Sequence, residues 1–180
     1  DILIGGGMAY TFLKVRNVGI GNSILDQEHI ELVKETFKKA ESLNKTIHLP
    51  QDHIIAESFS NEVPIETAEG GIPDGFMGLD IGPKTVAAYL KVIEKAKMVF
   101  WNGPMGVFEM SNFQSGTFSI ADGMSSNSGV TVVGGGDSVA AVNQANVSEK
   151  MSHISTGGGA SLRFIKGESL PGIDALAEKK

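Results

Sequence analysis

"VVGGGDSVAA" (residues 132–141) decides how this chain is read. An apolar run rich in valine ends in three glycines. An acid, Asp137, follows, and then a stretch of small helix formers. The run reads as a strand and the tail as a helix, so the glycines mark the turn between them. A helix start exposes unpaired N–H groups and about half a positive charge. Glycine lets that backbone approach a ligand closely and adopt positive φ. The turn therefore suits an anion, above all a phosphate. Asp137 then needs a reason, because a carboxylate repels phosphate. Two readings stand: it caps the helix, or it anchors a divalent cation lying between it and a nucleotide polyphosphate. Magnesium is held in that way, by one or two carboxylates plus phosphate oxygens and water.

The same device recurs in "LIGGGMAY" (3–10) and "STGGGASL" (155–162). The spacing is irregular, so this is not a repeat protein. A fourth loop, "WNGPMGVFE" (101–109), has Gly103-Pro104 and Gly106 to make a rigid turn. Its Val107 and Phe108 are apolar loop residues suited to cover a base or sugar. Glu109 can accept bonds from ribose hydroxyls or simply sit in solvent. In "MGLDIGP", Gly78 and Leu79 offer a second apolar wall. Common fingerprints fail. No G-x-x-x-x-G-K-[ST] occurs. G-x-G-x-x-G/A ends on Tyr10, Val139 or Leu162, and "SHIS" (152–155) lacks the ribose-binding acid.

Working outward, apolar runs alternate with helical patterns. Strands are predicted at 1–4, 46–50, 53–57, 77–82, 98–101, 129–133 and 152–155. Helices are predicted from the first glycine turn through Phe12 and Leu13, then at 27–43, 83–96, 113–124, 137–146 and 159–166. Asp26 suits the N-cap of 27–43, where Ile30, Val33, Phe37 and Ala40 mark one buried face. Pro83 suits the first turn of 83–96. Residues 58–75 read as a surface excursion or hairpin. Alternating strands and helices predict parallel pairing through right-handed crossovers. Ligands then bind at the carboxyl ends of the strands.

Composition bounds the function. The chain has 180 residues, 41% apolar and 20% charged, which fits one globular domain. Its net charge of −6 argues against nucleic acid, and its lysines gather only in pairs such as Lys38-Lys39 and Lys179-Lys180. There is no cysteine, so no disulfide frame or thiolate metal site. No apolar run reaches the ~18 residues a spanning helix requires, and no membrane partner is expected. Asp1 leads straight into a core strand, so a preceding segment is expected. His29, His48, His53 and His153 lack metal-ligand spacing. The 23 glycines are roughly double the usual share and cluster behind apolar runs, as site architecture would.

Together the motifs "LIGGGMAYTFLK", "GLDIGPKT", "WNGPMGVFE", "VVGGGDSVAA", "SHISTGGGASL" and "LPGIDAL" resemble, in order, the C-terminal half of phosphoglycerate kinases. The resemblance covers essentially 1–180. It implies a three-layer α/β/α, Rossmann-like domain with a mainly parallel sheet, the nucleotide-binding half of a two-domain glycolytic kinase. It implies Mg2+ as cofactor and ADP or ATP as substrate. Gly6 and Gly7 would lie against the adenine, with Gly78 and Leu79 opposite and Met77 and Ile24 nearby. Asn102, Gly103, Pro104, Gly106, Val107 and Phe108 would line the nucleotide site, and Glu109 would hold the ribose. Asp137 would meet the magnesium, with Ser138 beside the phosphates. Gly157, Gly158 and Gly159 would offer N–H groups to the phosphoryl group in flight. Ser155 and Thr156 would belong to a hinge.

The family's lysine-bearing Gly-Ala-Lys segment and its whole N-terminal, phosphoglycerate-binding domain have no counterpart in the sequence. Contact with 3-phosphoglycerate or 1,3-bisphosphoglycerate would need them, so the chain alone is expected to be inactive. A cytoplasmic monomer is expected. Arg163 and Lys166 stand where relatives often carry acids. Two rival readings are a dinucleotide-dependent oxidoreductase domain and a non-catalytic interaction domain.

Overall fold

The computed structural model describes residues 1–176, so the Lys179-Lys180 pair lies outside the described residues. Strand β1 (Ile2–Leu3) leads through the first glycine turn into helix α1 (Met8–Val15). Helix α2 (Ile30–Ser42) and strand β2 (Ile47–His48) follow, and β2 returns parallel to β1. Next come β3 (Asp52–Ala56), β4 (Glu66–Glu69), β5 (Met77–Ile81) and α3 (Pro83–Lys95). Then β6 (Met98–Asn102), α4 (Ser115–Ser125), β7 (Val130–Gly134), α5 (Gly136–Gln144), β8 (His153–Ser155), α6 (Gly158–Lys166) and α7 (Pro171–Asp174) complete the order. Strands β6, β7 and β8 form a parallel sheet in that order. The fold is α/β, Rossmann-like and mainly parallel.

Two expectations need correction. The strands are not all parallel: β3 pairs antiparallel with both β4 and β5. The predicted excursion at 58–75 contains β4, which folds back on β3 as a hairpin arm. Between them the chain runs through β4 rather than a crossover helix, and β5 returns on the other side of β3, antiparallel to it. The helix predicted at 27–43 begins later, at Ile30. Asp26 closes the turn before it, accepting from the His29 N–H at 3.2 Å and meeting His29 Nδ1 at 2.7 Å.

Helix α3 ties the two parallel sheets together. Its start is capped from another element. The buried Asp52 carboxylate accepts from the Lys84 N–H at 2.9 Å, the Thr85 N–H at 2.8 Å and the Thr85 hydroxyl at 2.6 Å. Gly82 has no side chain because the Asp52 carboxylate occupies that space. Further along, the buried Tyr89 hydroxyl lies 2.7 Å from the Ile4 carbonyl and 3.1 Å from the His48 carbonyl. It therefore binds α3 to the ends of β1 and β2. Ile93, on the next turn, enters the main core with Trp101, Ile120, Met124, Val133 and Val142.

The remaining charged residues are mostly peripheral. Lys84 pairs with Glu69 at 2.6 Å on the surface. Arg163 and Lys166 each lie 3.5 Å from Glu168. His53 is different: it is 1% exposed and its Nε2 has no partner. Burial holds its pKa below the usual imidazole value, against a smaller upward pull from Asp52.

His53 must therefore stay neutral in the folded chain while it protonates freely once unfolded. Its contribution to stability is present above about pH 6.5 and is lost as pH falls below that value. Thermal melts of His53→Leu and wild type are expected to diverge between pH 7 and 5. Wild type should lose more of its melting temperature on the acid side; parallel curves would contradict this.

Candidate functional site

Parallel pairing brings the glycine turns together. Asn102, Gly134 and Ser155, the last residues of β6, β7 and β8, stand in register. The turns that follow them are laced to one another. Asn102 Nδ2 donates to the Gly134 carbonyl at 2.9 Å, and the Gly135 N–H donates to the Ser155 carbonyl at 3.0 Å. Gly158 lies against Gly135 so closely that a methyl group would meet its Cα at 2.7 Å. The turn after β1 joins the same edge, because the Gly6 N–H donates to the Met105 carbonyl at 3.0 Å.

A cleft of about 970 Å³ opens beside the turns after β1 and β6. It is lined by Leu3–Met8, Asn22–Ile24, Met77–Leu79, Val99–Val107 and Glu109. Of the expected nucleotide residues, Gly6, Gly7, Ile24, Gly78, Leu79, Asn102, Gly103, Pro104, Gly106, Val107 and Glu109 all line it. Glu109 is exposed, and among the described residues its carboxylate makes no hydrogen bond or ion pair. The Val107 N–H bonds the Leu79 carbonyl at 2.9 Å, joining the loop to the middle of β5. The Ser23 hydroxyl accepts from the Gly78 N–H at 2.9 Å, and Gly78 lacks a side chain because Tyr10 fills its place.

The other expected residues lie elsewhere. Phe108 is not a wall of the cleft: it is 3% exposed and belongs to the main core. Ser138 is fully buried, and its hydroxyl accepts from the Gly103 N–H at 2.7 Å. It thereby braces the loop after β6. Asp137 stands exposed on the first turn of α5. No side chain caps that helix, and among the described residues the Asp137 carboxylate makes no hydrogen bond or ion pair. The capping reading therefore fails. Gly157 and Gly159 are exposed at the start of α6, with Gly158 half-buried. No group of three or more potential metal-ligating side chains exists among the described residues.

Sequence reasoning missed Asn22, Ser23, Phe59 and Leu162, which also line the cleft. Asn22, Ser23 and Phe59 lie outside the quoted glycine motifs, whereas Leu162 closes the motif at 155–162. It also missed that β1 and β6 are both edge strands, each paired on one side and both bordering the cleft. The deeper lining includes Ile93, Ile120 and Met124, which are core side chains.

Glycine turns gathered at the carboxyl edge of a parallel sheet, beside a cleft, define a Rossmann-like α/β domain of the kind whose ligands sit at that edge. Comparison with known proteins narrows this. The family model described as phosphoglycerate kinase matches residues 1–168. The phosphoglycerate kinase of Clostridium novyi is 51% identical over 179 residues, covering 99% of this chain and 45% of that protein. That of Lactiplantibacillus plantarum is 52% identical, covering 99% and 44%. The structure of phosphoglycerate kinase from Coxiella burnetii superposes with a TM-score of 0.91 at 36% identity, over 96% of this chain and 45% of that one. The chain belongs to the phosphoglycerate kinase family. It spans less than half the length of these relatives.

The turns differ in why they need glycine. At Gly6 the backbone has φ +60°, and a methyl group would lie 2.7 Å from the Pro104 carbonyl oxygen. At Gly136 nothing lies within 4 Å of the same position and φ is ordinary. Gly6→Ala is expected to cost about 1–3 kcal/mol in chemical denaturation. Gly136→Ala should leave stability within about 0.5 kcal/mol of wild type. Equal effects of the two would contradict this account.

Proposed function

We propose that this chain is the C-terminal, nucleotide-binding half of a phosphoglycerate kinase and holds magnesium-bound ADP or ATP. The observation that carries this reading is Asp137. A carboxylate exposed, unpaired and set among side-chain-free helix starts repels the phosphate those starts attract, unless a cation lies between them. One carboxylate completed by phosphate oxygens and water fits magnesium. It also explains why no larger ligand cluster is needed.

In this reading Gly6 and Gly7 face the adenine, with Gly78 and Leu79 across the cleft. Glu109 accepts from the ribose hydroxyls. Asn102, Gly103 and Pro104 follow the sugar and phosphates, and the Gly157–Gly159 N–H groups meet the transferring phosphoryl group. Magnesium supplies charge neutralisation. Phosphoryl transfer asks little covalent chemistry of the protein and mainly needs alignment and neutralisation. The acyl phosphate bond of 1,3-bisphosphoglycerate breaks as a terminal oxygen of ADP takes the phosphoryl group. The products are 3-phosphoglycerate and ATP, and the reverse reaction uses the same contacts. The phosphoglycerate would be held by the part of the relatives that this chain does not span. Closure of the two parts would align the substrates and exclude water.

A calorimetric titration with ADP, with and without magnesium, tests the reading. ADP is expected to bind, and magnesium to tighten binding about tenfold, or ~1.4 kcal/mol. Asp137→Ala should remove that gain while keeping magnesium-free affinity. The chain alone should show no turnover. Preference for NADH over ADP would favour an oxidoreductase domain instead, and absence of nucleotide binding would overturn the proposal for the isolated chain.

A further inference from the structure

Asp80, near the end of β5, is 1% exposed and outside the cleft lining. Its Oδ2 accepts from the Gly116 N–H in the first turn of α4 at 2.7 Å. Its Oδ1 accepts from the Ile81 N–H at 2.8 Å. Gly106 and Gly116 both press against this carboxylate, and a methyl group on either would collide with Oδ1. Thr117, the next residue of α4, reaches the same loop: its hydroxyl accepts from the Met105 and Gly106 N–H groups, each at 3.1 Å. The carboxylate thus stands where β5, α4 and the 102–109 loop meet.

We infer that Asp80 is a positioning residue for the nucleotide: its ionised carboxylate fixes the first turn of α4, and through it the loop carrying Asn102, Val107 and Glu109. The inference rests on the nucleotide reading above, and Asp80 itself does not touch the ligand. Burial pushes the Asp80 carboxyl up to about 7, with the two backbone bonds pulling the other way. The titratable group coupled to it is Tyr10 on α1, whose hydroxyl is raised by burial and by Asp80. Ile54 stands opposite on β3, and neither Ser115–Thr117 nor Met105–Val107 carries a charge. Protonation removes the charge and puts a hydrogen on one of the two oxygens, which weakens the N–H bonds that the ionised carboxylate accepts. The loop is therefore held best above the titration and loosens as pH falls through about 7.

The test is ADP affinity between pH 6 and 8.5 for wild type, Asp80→Asn and Thr117→Val. The difference between profiles cancels the titration of the ADP phosphate itself. Asp80→Asn is expected to bind several-fold more weakly at pH 8 and to lose the protein's own pH step. Thr117→Val should weaken binding at every pH but keep the step. Wild-type affinity with an unchanged profile in Asp80→Asn overturns the inference. Amide NMR of ligand-free wild type serves if Asp80→Asn fails to fold or ADP does not bind. The Gly116, Met105 and Gly106 amide shifts should then titrate together near pH 7. Independent or absent titration overturns the inference, whereas coupled titration without ADP binding sinks only the nucleotide reading.

Discussion

Parallel pairing of β6, β7 and β8 is the constraint on which the rest depends. Parallel strands all end at the same edge, and here Asn102, Gly134 and Ser155 end in register. Three successive turns must then share a narrow strip of space. At Gly158 a side chain would not fit, and glycine there is what allows two of the turns to touch. Gly158 against Gly135 and Gly6 against the Pro104 carbonyl are contacts of backbone on backbone. The bonds from Asn102 to Gly134 and from Gly135 to Ser155 follow once the backbones are that close.

Two buried carboxylates fix the helices that stand behind this edge. Asp52 reaches α3 and Asp80 reaches α4, and each accepts N–H bonds that a helix start cannot satisfy for itself. They differ in completeness. Asp52 also accepts a hydroxyl from Thr85, whereas Asp80 has two backbone donors and an otherwise apolar setting. Burial is what makes Asp80 hard to ionise, with its two backbone bonds pulling the other way. Its raised pKa means that its ionised form costs stability as pH rises from its unfolded value, near 4, toward 7. The charge is thus kept at some cost in stability at the junction that holds the loop after β6.

Much of this was legible in the sequence because it is periodic or punctuated. Strand-to-helix turns announce themselves where Val132-Val133 runs into Gly134, and strands β6 to β8 lie within a residue or two of their predicted bounds. The hairpin arm at β4 was one of two readings of 58–75, but the antiparallel pairing of β5 with β3 was not legible, because short apolar runs carry no sign of direction. Phe108, expected to line the nucleotide site, packs in the main core, and its place was not legible for a related reason. An apolar loop residue looks the same whether it faces a ligand or the core, and only the packed neighbours decide. Asp80 was visible as an acid inside an apolar strand, "GLDIG", yet nothing local names Gly116, 36 residues away, as its partner.

The glycines themselves separate packing from binding. Gly5, Gly6, Gly106 and Gly158 are already explained, since a methyl group at each would strike Met105, Pro104, Asp80 or Gly135. Gly136 and Gly159 have no such neighbour and no positive φ. Neither fold strain nor crowding asks for glycine there, and alanine would serve the helix better. Both lie at the start of a helix, one beside the unpaired Asp137. Space kept open at the start of α5, beside a carboxylate with no partner among the described residues, suits the phosphate chain and cation of the proposed function. The nucleotide reading therefore depends less on the abundance of glycine than on these two positions that the fold does not need.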